Sequence, residues 1–149
     1  MMRARRVSQS EMAETDRQEL PSLDILNPLI SIPEGEIRLR DDRKKKHWEV
    51  QIRPFLLWKY PVTQDLYFAV TGNVPSVFRG ERNPVDSVSW LEAIEFCNLL
   101  SERSNLESAY SIQGSDRQVM LNPAAPGFRL PTEAEWEYAC RAGIQQPRY

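Results

Sequence analysis

Gly127-Phe128-Arg129-Leu130-Pro131-Thr132-Glu133-Ala134-Glu135-Trp136-Glu137-Tyr138-Ala139-Cys140-Arg141-Ala142-Gly143 carries the strongest local signal in the chain. Thr132 and Glu135 follow Pro131 at the spacing of a capping box, in which hydroxyl and carboxylate each satisfy an amide that the first helical turn leaves unpaired. Glu133 and Glu135 place negative charge at the positive end of the helix dipole. Glu137 and Arg141 form an i, i+4 pair in the favourable order, and Gly143 supplies a stop. Trp136, Ala139 and Cys140 fall on one face, so the spacing predicts a core helix with an acidic rim.

Upstream, Ser89-Trp90-Leu91-Glu92 is a second capping box. Trp90, Ile94, Cys97 and Leu100-Ser101 recur behind it at helical spacing, which predicts a helix that buries one face and ends near Ser104-Asn105. A shorter helix is expected after Thr63, with Val62 stapled onto Tyr67, Leu66 and Val70 inward, and Gly72 as its C′ residue. Asn73 to Val88 has turns and no helical period, so an ordered loop pinned by Phe78 and by Asn83-Pro84-Val85 is expected. Tyr110-Ser111-Ile112 and Val119-Met120-Leu121 read as hairpin arms across Gly114-Ser115-Asp116. Three alternating runs precede all of this. Leu29 to Ile32 is stopped by Pro33-Glu34-Gly35, Ile37 and Leu39 alternate with charge, and Trp48, Val50 and Ile52 lead to Pro54, which has no N–H for a ladder. Lys44-Lys45-Lys46 reads as a solvated basic loop ahead of a phosphate or nucleic-acid contact. Residues 1–28 are polar and charge-mixed, a disordered or extended arm, and residues 29–149 form one domain.

Composition excludes several classes. The chain has 149 residues, 41% apolar and 27% charged, with a net charge of −2. That suits a globular domain and argues against a bulk grip on nucleic acid. No apolar run is long enough to cross a bilayer. One histidine, His47, and two cysteines, Cys97 and Cys140, cannot assemble a Cys/His zinc site. No apolar stretch follows Arg3, Arg5 and Arg6, so no secretory leader is expected, and a cytoplasmic location is.

The stretch from Gly127 to Gly143 resembles the signature of the formylglycine-generating enzyme family, also called sulfatase-modifying factor proteins. Three further stretches match in order. They are Tyr60-Pro61-Val62-Thr63-Gln64, then Pro75-Ser76-Val77-Phe78, then Asn83-Pro84-Val85-Asp86-Ser87-Val88-Ser89-Trp90 with Ala93, Phe96 and Cys97. The insert from Ser104 to Pro126 is similar to that of bacterial members. The resemblance covers about residues 30–143. It implies an α+β, formylglycine-generating-enzyme or C-type-lectin-like fold with little regular secondary structure. It also implies an oxidoreductase-like activity, oxidation of a substrate cysteine to formylglycine with copper and dioxygen, or a related metal oxidase or ligand-displaying role.

In the family the signature helix lies near the middle of the domain. The half that follows it carries a tryptophan-glycine-asparagine element, calcium-binding loops, a GNVWEW stretch and the reactive cysteine pair that binds copper. None of these occurs in the 149 residues, so the expectation is the amino-terminal part of a truncated domain, inactive alone. The alternative is a non-catalytic interaction module on a lectin-like scaffold. No catalytic, cofactor-binding or metal-binding residue is assigned. Cys97 and Cys140 are expected to be structural and buried, and His47 a surface residue. Glu133, Glu135 and Glu137 are explained by capping, dipole and ion pairing, and Arg129 as a brace between loops. Copper and calcium belong to the family and neither is expected in this chain. The partner expected is a complementing polypeptide or a second copy, with no nucleic acid and no membrane.

Overall fold

Ile37 and Leu39 alternate with charged neighbours, and in the computed structural model, which describes residues 29–142, both are buried. They lie in β2 (Gly35–Asp41), which pairs antiparallel with β3 (Lys46–Ile52). β1 (Leu29–Ile32) pairs with β4 (Phe55–Trp58) in the same continuous register, Ile32 facing Phe55 and Gly35 facing Ile52. The four strands are thus one long ribbon. Its register sets Pro33 opposite Pro54, and two residues without an N–H interrupt the ladder there. At the far end Asp41 Oδ1 accepts the amides of Arg43 (3.0 Å) and Lys44 (3.1 Å), which folds the basic stretch into an exposed tip.

Two helices build the main core. α1 (Gln64–Thr71) contributes Leu66, Tyr67 and Val70, and α2 (Trp90–Arg103) contributes Phe96, Cys97 and Leu100. The Tyr67 and Phe96 rings stack with centroids 5.3 Å apart. Gly72 closes α1 at φ +74°, a conformation that disfavours any side chain. Thr63 has N-cap geometry, but its hydroxyl donates to Asp65 instead of accepting an amide. Ser89 and Glu92 form the full capping box of α2. The hairpin of β5 (Tyr110–Gln113) and β6 (Gln118–Leu121) forms where expected.

The loop from Asn73 to Val88 is ordered, but not by Phe78, which is 78% exposed. Two buried polar side chains hold it. Gln64 donates to Phe78 O (2.8 Å) and accepts from Gly80 N (3.2 Å), and Ser76 Oγ accepts from Asp86 N (3.0 Å). A loop's backbone groups must be paired wherever it leaves water, and amide and hydroxyl side chains do this where a phenyl ring cannot. The Asn83 to Val85 corner behaves as expected, with Gln64 N donating to Asn83 O and Val85 N to Val62 O.

The capping box of α3 (Glu133–Arg141) is present, and so is the Glu137–Arg141 pair at 2.8 Å. The buried face of α3 differs from the expected one. Ala134 and Tyr138, one turn apart, pack on Ile37, Leu39 and Ile52 in a second, smaller core. Tyr138 donates to Glu34 O (3.2 Å), and a Cβ at Gly35 would run into its hydroxyl. Trp136 is 56% exposed and Cys140 is exposed. Ala134 is the residue of α3 buried against the ribbon, and Trp136, two positions on, is turned outward. Trp90 is likewise 62% exposed, because the first residue of α2 projects beyond the core that the later turns build. Gly143, the expected helix stop, and residues 1–28 lie outside the described residues.

Candidate functional site

The outward-turned residues meet across one cleft of about 860 Å³. β1 supplies Leu29 and Ile30, β4 supplies Leu56, α2 supplies Trp90, and α3 supplies Trp136 and Cys140. Its floor is the back of the main core, including Tyr67, Phe96 and Leu100. The walls are dominated by apolar side chains, with Ser89, Lys59 and Arg129 among the polar exceptions. Such a surface has the size of a ligand pocket but lacks the convergent charged groups that usually orient a small polar substrate.

One wall is fixed by the segment from Gly127 to Glu135. Gly127 must lack a side chain, because a Cβ there would collide with the Glu107 carbonyl oxygen and with Ser101. Phe128 N donates to Ser101 Oγ (2.8 Å) and Leu130 N to the Tyr110 hydroxyl (3.0 Å). Arg129 meets Glu135 through two parallel hydrogen bonds of 2.7 and 2.6 Å, a geometry that fixes direction as well as distance. The same carboxylate accepts the Thr132 amide (2.8 Å), so the cap and the ion pair are one unit. Asn98 completes the brace, donating to Tyr110 O (2.8 Å). Arg129, expected as a brace between loops, ties its loop to the first turn of α3.

Sequence reading passed over Gln64, Ser101 and Tyr110 as organisers. Ser101 carried a usable signal, since a polar residue inside the apolar stripe of a helix must find a partner. It is fully buried and also donates to Cys97 O (2.7 Å). Nothing local marked Gln64, whose partners lie across a loop.

Titration follows the same geometry. The Arg129 guanidinium holds the Glu135 carboxyl below its usual range, and Glu135 in turn raises Arg129. Burial pushes the Cys97 thiol up to about 11, while Cys140 stands exposed on the cleft. Among the described residues no group of three His, Cys, Asp or Glu side chains gathers around a point. His47 and the Lys44-Lys45-Lys46 knot sit on the exposed ribbon tip, in elements that do not line the cleft. Among the described residues no helix is long and apolar enough to cross a membrane.

A long two-stranded ribbon, a short hairpin, capped helices and long braced loops around an open cleft define an α+β protein of the formylglycine-generating-enzyme and C-type-lectin-like type. Treponema denticola variable protein 1 superposes at a TM-score of 0.68 with 32% identity, over 78% of this chain and 52% of that one. CarF superposes at 0.59 with 27% identity, over 78% and 56%. The family profile of the sulfatase-modifying factor enzyme 1-like domain matches residues 11–149, and the chain belongs to that family. A Paenibacillus barcinonensis protein named chaperone protein LppX is 40% identical over 113 residues, 67% of this chain and 40% of that protein. The formylglycine-generating enzyme of Mus musculus is 31% identical over 88 residues, 59% of this chain and 17% of the enzyme. The chain thus spans well under two thirds of each of these relatives.

Proposed function

We propose that residues 29–149 are the amino-terminal part of a sulfatase-modifying-factor domain, and that they hold no oxidase activity by themselves. The observation that carries this reading is the cleft. Two tryptophans, an exposed thiol and the apolar strand β1 face it, while about half of each solved relative lies outside the superposed part. A surface of this kind is what one portion of a domain presents to the rest of it. That remainder comes from the same polypeptide or from a complementing one, and in its absence a second copy takes the place. A bacterial, cytoplasmic setting belongs to the same reading, supported by the Paenibacillus relative and by two free cysteines.

The alternative, a non-catalytic interaction module, draws on the exposed Val77 and Phe78, displayed on a loop that buried Gln64 and Ser76 hold rigid. One assay addresses the catalytic part. The chain is incubated with a cysteine-containing sulfatase-type peptide, copper and dioxygen, and the peptide is weighed by mass spectrometry. The expected result is unmodified cysteine. Aldehyde product would overturn the claim that these residues are catalytically empty.

A further inference from the structure

The tip of the β2–β3 ribbon concentrates a charge opposite to that of the rest of the chain. Residues 40–47 hold five basic and two acidic side chains, a local charge of +3, whereas the whole chain carries −2 and everything outside the tip therefore −5. Both acids are already committed. Asp41 Oδ1 accepts the turn amides of Arg43 and Lys44, its Oδ2 lies 3.8 Å from Lys44 Nζ, and Asp42 meets Arg40 at 3.4 Å. Arg43, Lys45 and Lys46 are exposed and enter no ion pair among the described residues. The β5–β6 turn is different, since its Arg117 is tied to Glu95 of α2.

One aromatic ring stands beside these cations. Trp48 follows Lys46 by two residues on β3, so the two share a face of the ribbon. Its register partner Leu39 belongs to the smaller core, which stops short of Trp48 and leaves the indole 43% exposed. A half-wet indole next to free ammonium groups offers an apolar surface and a charged one within reach of the same ligand.

We propose that this tip docks a short acidic segment of another polypeptide, whose carboxylates meet Arg43, Lys45 and Lys46 while an adjacent aromatic side chain lies on Trp48. The extent of the positive zone selects a peptide over a longer polyanion. On the outward face the next pair toward the core sets Arg38 against Glu49, and beyond it Gln51 donates to Glu36. A nucleic-acid backbone is gripped by cations spaced along its length, and here it would run onto carboxylates and a body of net −5. A membrane surface fits no better, because residues 40–47 include no apolar side chain to enter the interface. Lysine ammonium groups suit carboxylates arriving in varied geometry, since they are point charges with rotatable donors. Exposed ion pairs contribute little singly, so charge speeds the encounter and the ring contact supplies selectivity.

The test titrates the full chain into labelled probes and follows their anisotropy. The probes are a short polyglutamate peptide ending in phenylalanine, the same peptide ending in alanine, and a single-stranded oligonucleotide of equal charge. Phosphatidylserine vesicles are tested by co-sedimentation. The phenylalanine peptide is expected to bind about tenfold tighter than either other probe, the worth of one aromatic contact. Trp48→Ala should erase that preference and leave binding of the alanine peptide unchanged. Lys45 has a left-handed backbone, φ +51°, which glycine adopts freely. Lys45→Gly thus removes a charge without straining the turn, and should weaken peptide binding about threefold with no fall in melting midpoint. Binding of the oligonucleotide or the vesicles as tight as that of the phenylalanine peptide would overturn the assignment to a polypeptide. Absence of peptide binding, or full affinity in Lys45→Gly, would overturn the docking site itself.

Discussion

Cys97 and Cys140 differ in exposure although their sequence contexts look alike. Burial pushes the Cys97 thiol up to about 11, and although both cysteines line the cleft, only Cys140 is exposed. A thiol reagent at neutral pH should label one equivalent quickly, at Cys140, and the second only in denaturant. Fast labelling of Cys97 in the native chain would show that the α1–α2 core opens readily. Core depth also sorts the apolar residues. Leu66 and Ile94 are fully buried, so Leu66→Ala or Ile94→Ala should cost about 2–5 kcal/mol in denaturant titrations. Trp136→Ala should cost less than about 1 kcal/mol, since more than half of that ring is already in water. A larger loss at Trp136 than at Leu66 would place the core elsewhere.

Among the elements, the brace from Gly127 to Glu135 sets the cleft wall. Its ion pair contributes stability with a definite pH dependence. Arg129 depresses the folded-state pKa of Glu135, so the contribution is complete above the unfolded carboxyl value of about 4.3 and is lost as pH falls through the lower folded value. Unfolding midpoints measured from pH 6 down to pH 2 should therefore fall less steeply for Glu135→Gln than for the native chain. Parallel curves would mean that the pair adds nothing. Thr132→Ala should remove about 1 kcal/mol through the lost cap. Gly127→Ala should cost about 1–3 kcal/mol, because the Cβ meets a backbone carbonyl that moves only with its loop.

At the scale of the whole molecule, the cleft governs behaviour in solution. Among the described residues nothing covers the apolar surface that gathers Trp90, Trp136, Leu56 and Ile30, and a patch of this kind marks an interaction site. At micromolar concentration, light scattering should give a mass above that of one chain, and Trp90→Glu with Trp136→Glu should return it to one. A native chain that stays monomeric would remove the argument that the cleft awaits protein.

The sequence by itself determined the local structure, because the forces involved act within a few residues. Ser89 with Glu92 and Thr132 with Glu135 cap their helices through contacts three positions apart, and Gly72 ends α1 through its own backbone freedom. β1, β2 and β3 follow from alternation, the break in the ribbon from Pro33 and Pro54, and the family from motifs read in order. What the sequence left open was which apolar side of a helix is buried. Trp136, Ala139 and Cys140 share a stripe as good as that of Ala134 and Tyr138, and amphipathicity cannot rank two such faces. Only the tertiary structure decided it, by seating Ala134 on Ile37, Leu39 and Ile52 and so turning the tryptophan into the cleft. The grip of Gln64 on its loop and the approach of Gly127 to Glu107 likewise join residues far apart in the chain, and no local pattern encodes a contact whose partner is elsewhere.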